Sequence, residues 1–82
     1  MFKNRTVGGR SNIVGEKMKQ LRCQLKERPS QRQFAELLQM YGLEIDKNAI
    51  QRIESGERFV TDIELKVIAE VLEVTYTELL EE

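Results

Sequence analysis

The chain has 82 residues, 40% hydrophobic and 33% charged, a composition that fits one small globular domain rather than a disordered or collagen-like chain. It has no histidine and one cysteine, Cys23, and its five glycines form no phosphate-binding loop, so His triads, Cys/His metal clusters, internal disulfides and nucleotide loops are excluded. The net charge of −1 hides a segregation: residues 1–32 hold nine Lys/Arg against two Glu, a net of +7, and residues 33–82 hold four against twelve Asp/Glu, a net of −8.

These exclusions leave little room for an enzyme, and no cofactor or metal is expected. A lone thiol suits a reducing compartment, the cytoplasm. Residues 1–10 are polar, contain Gly8-Gly9 and show no periodicity, so they read as a flexible basic arm without the apolar stretch of a signal peptide. Lys3, Arg5 and Arg10 could touch phosphate or a minor groove, although a plain tail is the simpler reading. The longest apolar run, Val67-Ile68-Ala69, is far too short to span a membrane. Residues 11–82 form the domain.

Val14, Met18, Leu21 and Leu25 share one helical face, predicting a first helix over 12–27 that stops before Pro29. Cys23 falls on its exposed side. Ser30-Gln31-Arg32-Gln33 is a capping box that opens a second helix. Phe34, Ala35, Leu37, Leu38 and Tyr41 make that helix's apolar face, and Gly42 suits the position just past its end. Asp46 caps a short third helix over about 47–54, with Gly56 closing it. Thr61-Asp62-Ile63-Glu64 and Thr75-Tyr76-Thr77-Glu78 are two more capping boxes. They open a fourth helix with core positions Leu65, Ile68, Val71 and Leu72, and a short fifth carrying Leu79 and Leu80. No segment alternates with period two, so the expected fold is all-α.

The third helix carries the functional signal. Ile50 and Ile53 set its buried side. At 100° per residue, Asn48 lies about 160° from Ile50, Gln51 about 100°, Arg52 about 200° and Ser55 about 140°. Its outward face is amide, amide, guanidinium and hydroxyl, with no carboxylate, in the acidic half of the chain. Arginine pairs with guanine edges and Asn or Gln with adenine edges in a DNA major groove. The same residues are also ordinary on a solvated surface. Lys47, in the first turn, could reach a base or a phosphate. Glu54 lies only about 40° from Ile50, toward the core, where a carboxylate needs a partner. Arg22, beside the apolar stripe of the first helix, is the expected partner in a salt bridge joining the two helices.

The ordered motifs resemble the helix-turn-helix domain of the Cro/repressor class, also described as XRE-type or lambda-repressor-like. The resemblance runs through Val14-Gly15-Glu16-Lys17-Met18, Leu21-Arg22, Ser30-Gln31, Phe34-Ala35, Ile50-Gln51-Arg52-Ile53-Glu54-Ser55-Gly56, Ile68-Ala69-Glu70-Val71-Leu72-Glu73-Val74 and Glu78-Leu79-Leu80. It covers about 13–80. It implies a five-helix bundle in which helices 2 and 3 form the helix-turn-helix and helix 3 enters the major groove of double-stranded DNA. By position, Lys47, Asn48, Gln51 and Arg52 are implied to face bases. Gln31 and Arg58 are implied to face phosphates, and Arg22 and Glu54 to form an internal ion pair. Fifteen steps separate Ala35 from Ile50, more than the family usually has, so a longer helix 2 and turn are expected, with Glu44 and Asp46 in the loop. The stretch from Arg22 to Ser30 is longer as well.

The resulting expectation is a transcriptional regulator, of repressor type, acting as a homodimer on DNA. Ile63, Tyr76 and Leu80 are candidate dimer contacts, although scattered surface apolar residues read the same way. The rival reading is a protein-interaction module on the same fold, antitoxin-like or coactivator-like, using the acidic surface of helices 4 and 5. Single-strand or RNA binding is disfavoured, because the five aromatic residues make no stacking platform.

Overall fold

The computed structural model describes residues 12–80. The proposed arm at 1–10 lies outside them. Five helices follow in order: α1 Gly15–Gln24, α2 Gln31–Met40, α3 Lys47–Ser55, α4 Asp62–Leu72 and α5 Tyr76–Leu80, with no strand among the described residues. No helix among them is long and apolar enough to cross a membrane. The architecture is the all-helical, lambda-repressor-like one. α3 packs most closely on α2 and then on α1, which places it at the outer edge of the bundle with one side buried.

The core is formed by Val14 and Met18 of the α1 region, and by Phe34, Ala35 and Leu38 of α2. Ile50 and Ile53 of α3, Ile68, Ala69 and Leu72 of α4, and Leu79 of α5 complete it with Ile45 from the α2–α3 loop. Leu21, Leu25, Leu37, Leu65 and Val71 pack half-buried at its margin. Tyr41 departs from the expected α2 face. The helix ends at Met40, so Tyr41 is the C-cap residue and turns outward, more than half exposed. Ile45 takes a core position instead, from the loop.

Helix starts follow hydrogen-bond chemistry. Ser30 Oγ accepts from Gln33 N–H at 3.1 Å while Gln33 Oε1 accepts from Ser30 N–H at 2.9 Å. Thr61 and Glu64 make the same reciprocal pair at 3.2 and 3.0 Å. Asp46 caps α3 by accepting from Ala49 N–H at 2.8 Å. The box at α5 is half made: Thr75 Oγ1 accepts from Glu78 N–H, but the Glu78 carboxylate takes the Thr75 hydroxyl, not its backbone N–H.

α1 is shorter than the expected 12–27. Asn12 Oδ1 accepts from Gly15 N–H at 2.8 Å, which holds residues 12–14 outside the helix. At the other end Leu25 is already extended and Arg28 adopts a positive φ of 46°, so the chain leaves the helix well before Pro29.

Candidate nucleic-acid interface

The outer face of α3 arises from its own amphipathicity. Burial of Ile50, Ile53 and Glu54 turns Lys47, Asn48, Gln51, Arg52 and Ser55 to solvent. All four residues expected to face bases therefore lie on one exposed face. Ser55 Oγ donates to the Arg52 carbonyl at 3.1 Å, so this hydroxyl serves the helix end. Gly56 closes the helix at φ 88°, in the left-handed region that glycine enters without a Cβ penalty.

Below that face lies a polar clamp. Arg22 Nε donates to Glu54 Oε2 at 2.8 Å and Arg22 Nη2 to Glu54 Oε1 at 3.0 Å, a two-pronged pair with side chains 10% and 3% exposed. The expected salt bridge between the first and third helices is present. Arg22 Nη1 also donates to the Pro29 carbonyl at 2.9 Å, which ties in the α1–α2 loop. Hydrogen bonding to Glu54 raises the guanidinium pKa above its ordinary value, outweighing the opposing effect of burial, so Arg22 keeps its charge. Among the described residues no buried side-chain N or O lacks a hydrogen-bond partner.

Gln31 belongs to the same clamp. Its Nε2 donates to Glu54 Oε1 at 2.9 Å, linking the first residue of α2 to α3. The amide retains a second N–H. Gln31 thus has a structural partner beside the phosphate role carried over from the resemblance.

Arg58, in the loop after α3, is also engaged. It donates to both oxygens of Glu64, at 2.9 and 2.7 Å, and to the Phe59 carbonyl at 3.1 Å. Hydrogen bonding to Glu64 raises its guanidinium further, and hydrogen bonds from Arg58 and then Thr61 hold the Glu64 carboxyl below its ordinary value despite partial burial.

Two contributors escaped the sequence reading. Asn12 is buried, and its Nδ2 donates to the Ile53 carbonyl at 3.0 Å and the Arg58 carbonyl at 2.7 Å, which pins the exit of α3 to the start of α1. An Asn just ahead of the first apolar stripe was the available signal, as a capping residue. Glu64 was read for its capping box, while its pairing with Arg58, six positions away across a loop, left no periodic trace.

Among the candidate dimer contacts, Ile63, Tyr76 and Leu80 are 67%, 50% and 37% exposed. Cys23 is exposed on α1, as its helical position implied.

No match was found among curated proteins or among solved structures. A helix-turn-helix family model matches residues 18–79, from within α1 to within α5. That span includes the clamp, the exposed face of α3 and the Arg58 loop, and the chain belongs to the helix-turn-helix family of Cro/repressor (XRE-like) type, a family of DNA-binding transcription regulators.

Proposed function

We propose that this protein is a sequence-specific repressor of bacterial or phage type, acting in the cytoplasm as a homodimer on double-stranded DNA. The observation that carries the reading is the exposed face of α3, where Lys47, Asn48, Gln51 and Arg52 stand together above a buried ion pair. Arg52 offers a fork for guanine O6 and N7, Asn48 and Gln51 offer amides for adenine N6 and N7, and Lys47 reaches a base or a phosphate at the helix N-terminus. The Arg22–Glu54–Gln31 clamp fixes α3 against α1 and α2, so the backbone that carries those groups needs little ordering when they meet base edges. Gln31 and Arg58 supply phosphate contacts beside α3, which set register rather than sequence preference.

One module offers few phosphate contacts, so a single copy binds weakly and with strong salt dependence. Two copies on half-sites about one helical turn apart, roughly 34 Å, combine their contacts. The test is selection from random duplex DNA by the purified protein at about 150 mM salt, where non-specific binding is suppressed. The expected result is enrichment of a short motif, arranged as an inverted repeat. A flat selection overturns the reading and favours an interaction module that uses the acidic surface of α4 and α5.

A further inference from the structure

Arg58 is held from both ends. Its carbonyl accepts from the buried Asn12 amide at 2.7 Å, and its guanidinium grips Glu64 with both Nη atoms at 2.9 and 2.7 Å. Glu64 is itself fixed in the first turn of α4, where Oε1 accepts from Thr61 N–H at 3.0 Å. The Glu64 side chain is 9% exposed, whereas Arg58 keeps 30% open to solvent. Asp46, the N-cap of α3, adds a weaker favourable charge at the guanidinium. The contacts to Glu64 and Phe59 use three of the five guanidinium N–H groups, leaving Nε–H and one Nη2–H without a partner among the described residues and open to a second anion.

We propose that Glu64 is a positioning residue and an internal competitor for Arg58: it orients the guanidinium toward a DNA phosphate and cancels part of its charge, and so holds down the protein's general affinity for DNA. The proposal rests on the DNA-binding reading above. The Glu64 carboxylate grips the Nη1/Nη2 edge of the guanidinium and so aligns its remaining Nε/Nη2 edge, as a bidentate partner does. The same carboxylate repels the phosphate that the fork receives. A phosphate contact carries no sequence information, so damping it lowers non-specific binding while the face of α3 keeps its discrimination.

The test titrates a duplex bearing the selected site and a random duplex with wild type, Glu64→Gln, Glu70→Gln and the double variant Arg58→Gln/Glu64→Gln over a salt series. Glutamine serves the capping box, as Gln33 does at α2, so Glu64→Gln removes the charge and keeps the helix start. Glu70→Gln removes an equal charge from the exposed side of α4. Glu64→Gln is expected to bind both duplexes about three- to fiftyfold more tightly at low salt, the effect of one unit charge over roughly 7 Å between the dielectric of water and that near a protein surface, with a steeper salt slope. Glu70→Gln is expected to gain less, and the double variant to lose the gain. Equal binding by Glu64→Gln and wild type, or an equal gain from Glu70→Gln, overturns the proposal. A second measurement needs no variant to fold: the Arg58 Nε–Hε resonance of the wild type shifts when random duplex is added, and an unmoved resonance overturns the proposal. Wild type that binds no duplex at all removes the DNA-binding reading itself and this proposal with it, an outcome distinct from either of the others.

Discussion

Arg22 and Glu54 lie almost out of water, and each is the other's principal counter-charge. Glu54→Ala would leave the Arg22 guanidinium buried with the Pro29 carbonyl and no carboxylate. Breaking one side of such a pair costs about 3–5 kcal/mol, a large share of the stability of a domain this size. Urea unfolding is expected to show that loss, and a change under about 1 kcal/mol would mean that water reaches the pair. Arg52 is the opposite case: exposed, and expected to matter for DNA more than for folding. Arg52→Ala should leave the urea midpoint in place while costing about 1–3 kcal/mol on the selected duplex, with little change on random DNA. Equal losses on both would reduce Arg52 to a backbone contact. Glu64 adds a pH dependence. Its carboxyl is held below the ordinary 4.5, chiefly by the hydrogen bond from Arg58, so its stabilisation is complete above the unfolded-state value and is lost as pH falls through the depressed folded value. Urea midpoints taken downward from pH 5 should fall below about pH 4.5, and fall less in Glu64→Gln. The Arg22–Glu54 pair was legible in the sequence because a carboxylate on the apolar side of a helix demands a cation. The Arg58–Glu64 pair was not, because both residues sit where charges are commonplace.

Helix starts were the most legible elements, since a capping box is a local hydrogen-bond pattern needing no tertiary information. Those of α2 and α4 form both bonds, and Thr61→Ala or Ser30→Ala should cost about 1 kcal/mol each by thermal melting. Helix ends were harder to read. α1 stops at Gln24 because Leu25 turns to an extended backbone, and Arg22 reaches past it to Pro29, a tertiary contact without periodicity. The lengthened connection between α2 and α3 resolves into a ten-residue α2 and the loop 41–46. That loop is held by Gln39 Nε2 donating to the Ile45 carbonyl at 2.7 Å and by Ile45 itself in the core. Gly42 makes the turn at φ 90° with open space where a Cβ would stand. Gly42→Ala should therefore cost about 1–2 kcal/mol from backbone conformation alone, without steric loss.

At the scale of the molecule, charge and geometry bear on assembly. The Cα envelope measures 38 × 22 × 19 Å. Two copies on half-sites roughly 34 Å apart would meet only if the long dimension lay largely along the DNA. Copies set crosswise would leave a gap, and each half-site would fill independently. The acidic half of the chain argues that any meeting surface must be apolar, since like charges in contact repel. Ile63 and Tyr76 are the apolar side chains most open to solvent on α4 and α5. Ile63→Glu and Tyr76→Glu place a charge at each without entering the core, so folding should persist. On a duplex with two selected half-sites, wild type is expected to bind cooperatively, and the variants to fill the sites one at a time with single-site affinity intact. Light scattering of the complexes separates the cases by mass at sub-saturating protein. Cooperative binding that survives both substitutions would assign the contact to another face. Independent filling by the wild type would mean that the copies do not touch, and that occupancy follows from each α3 alone.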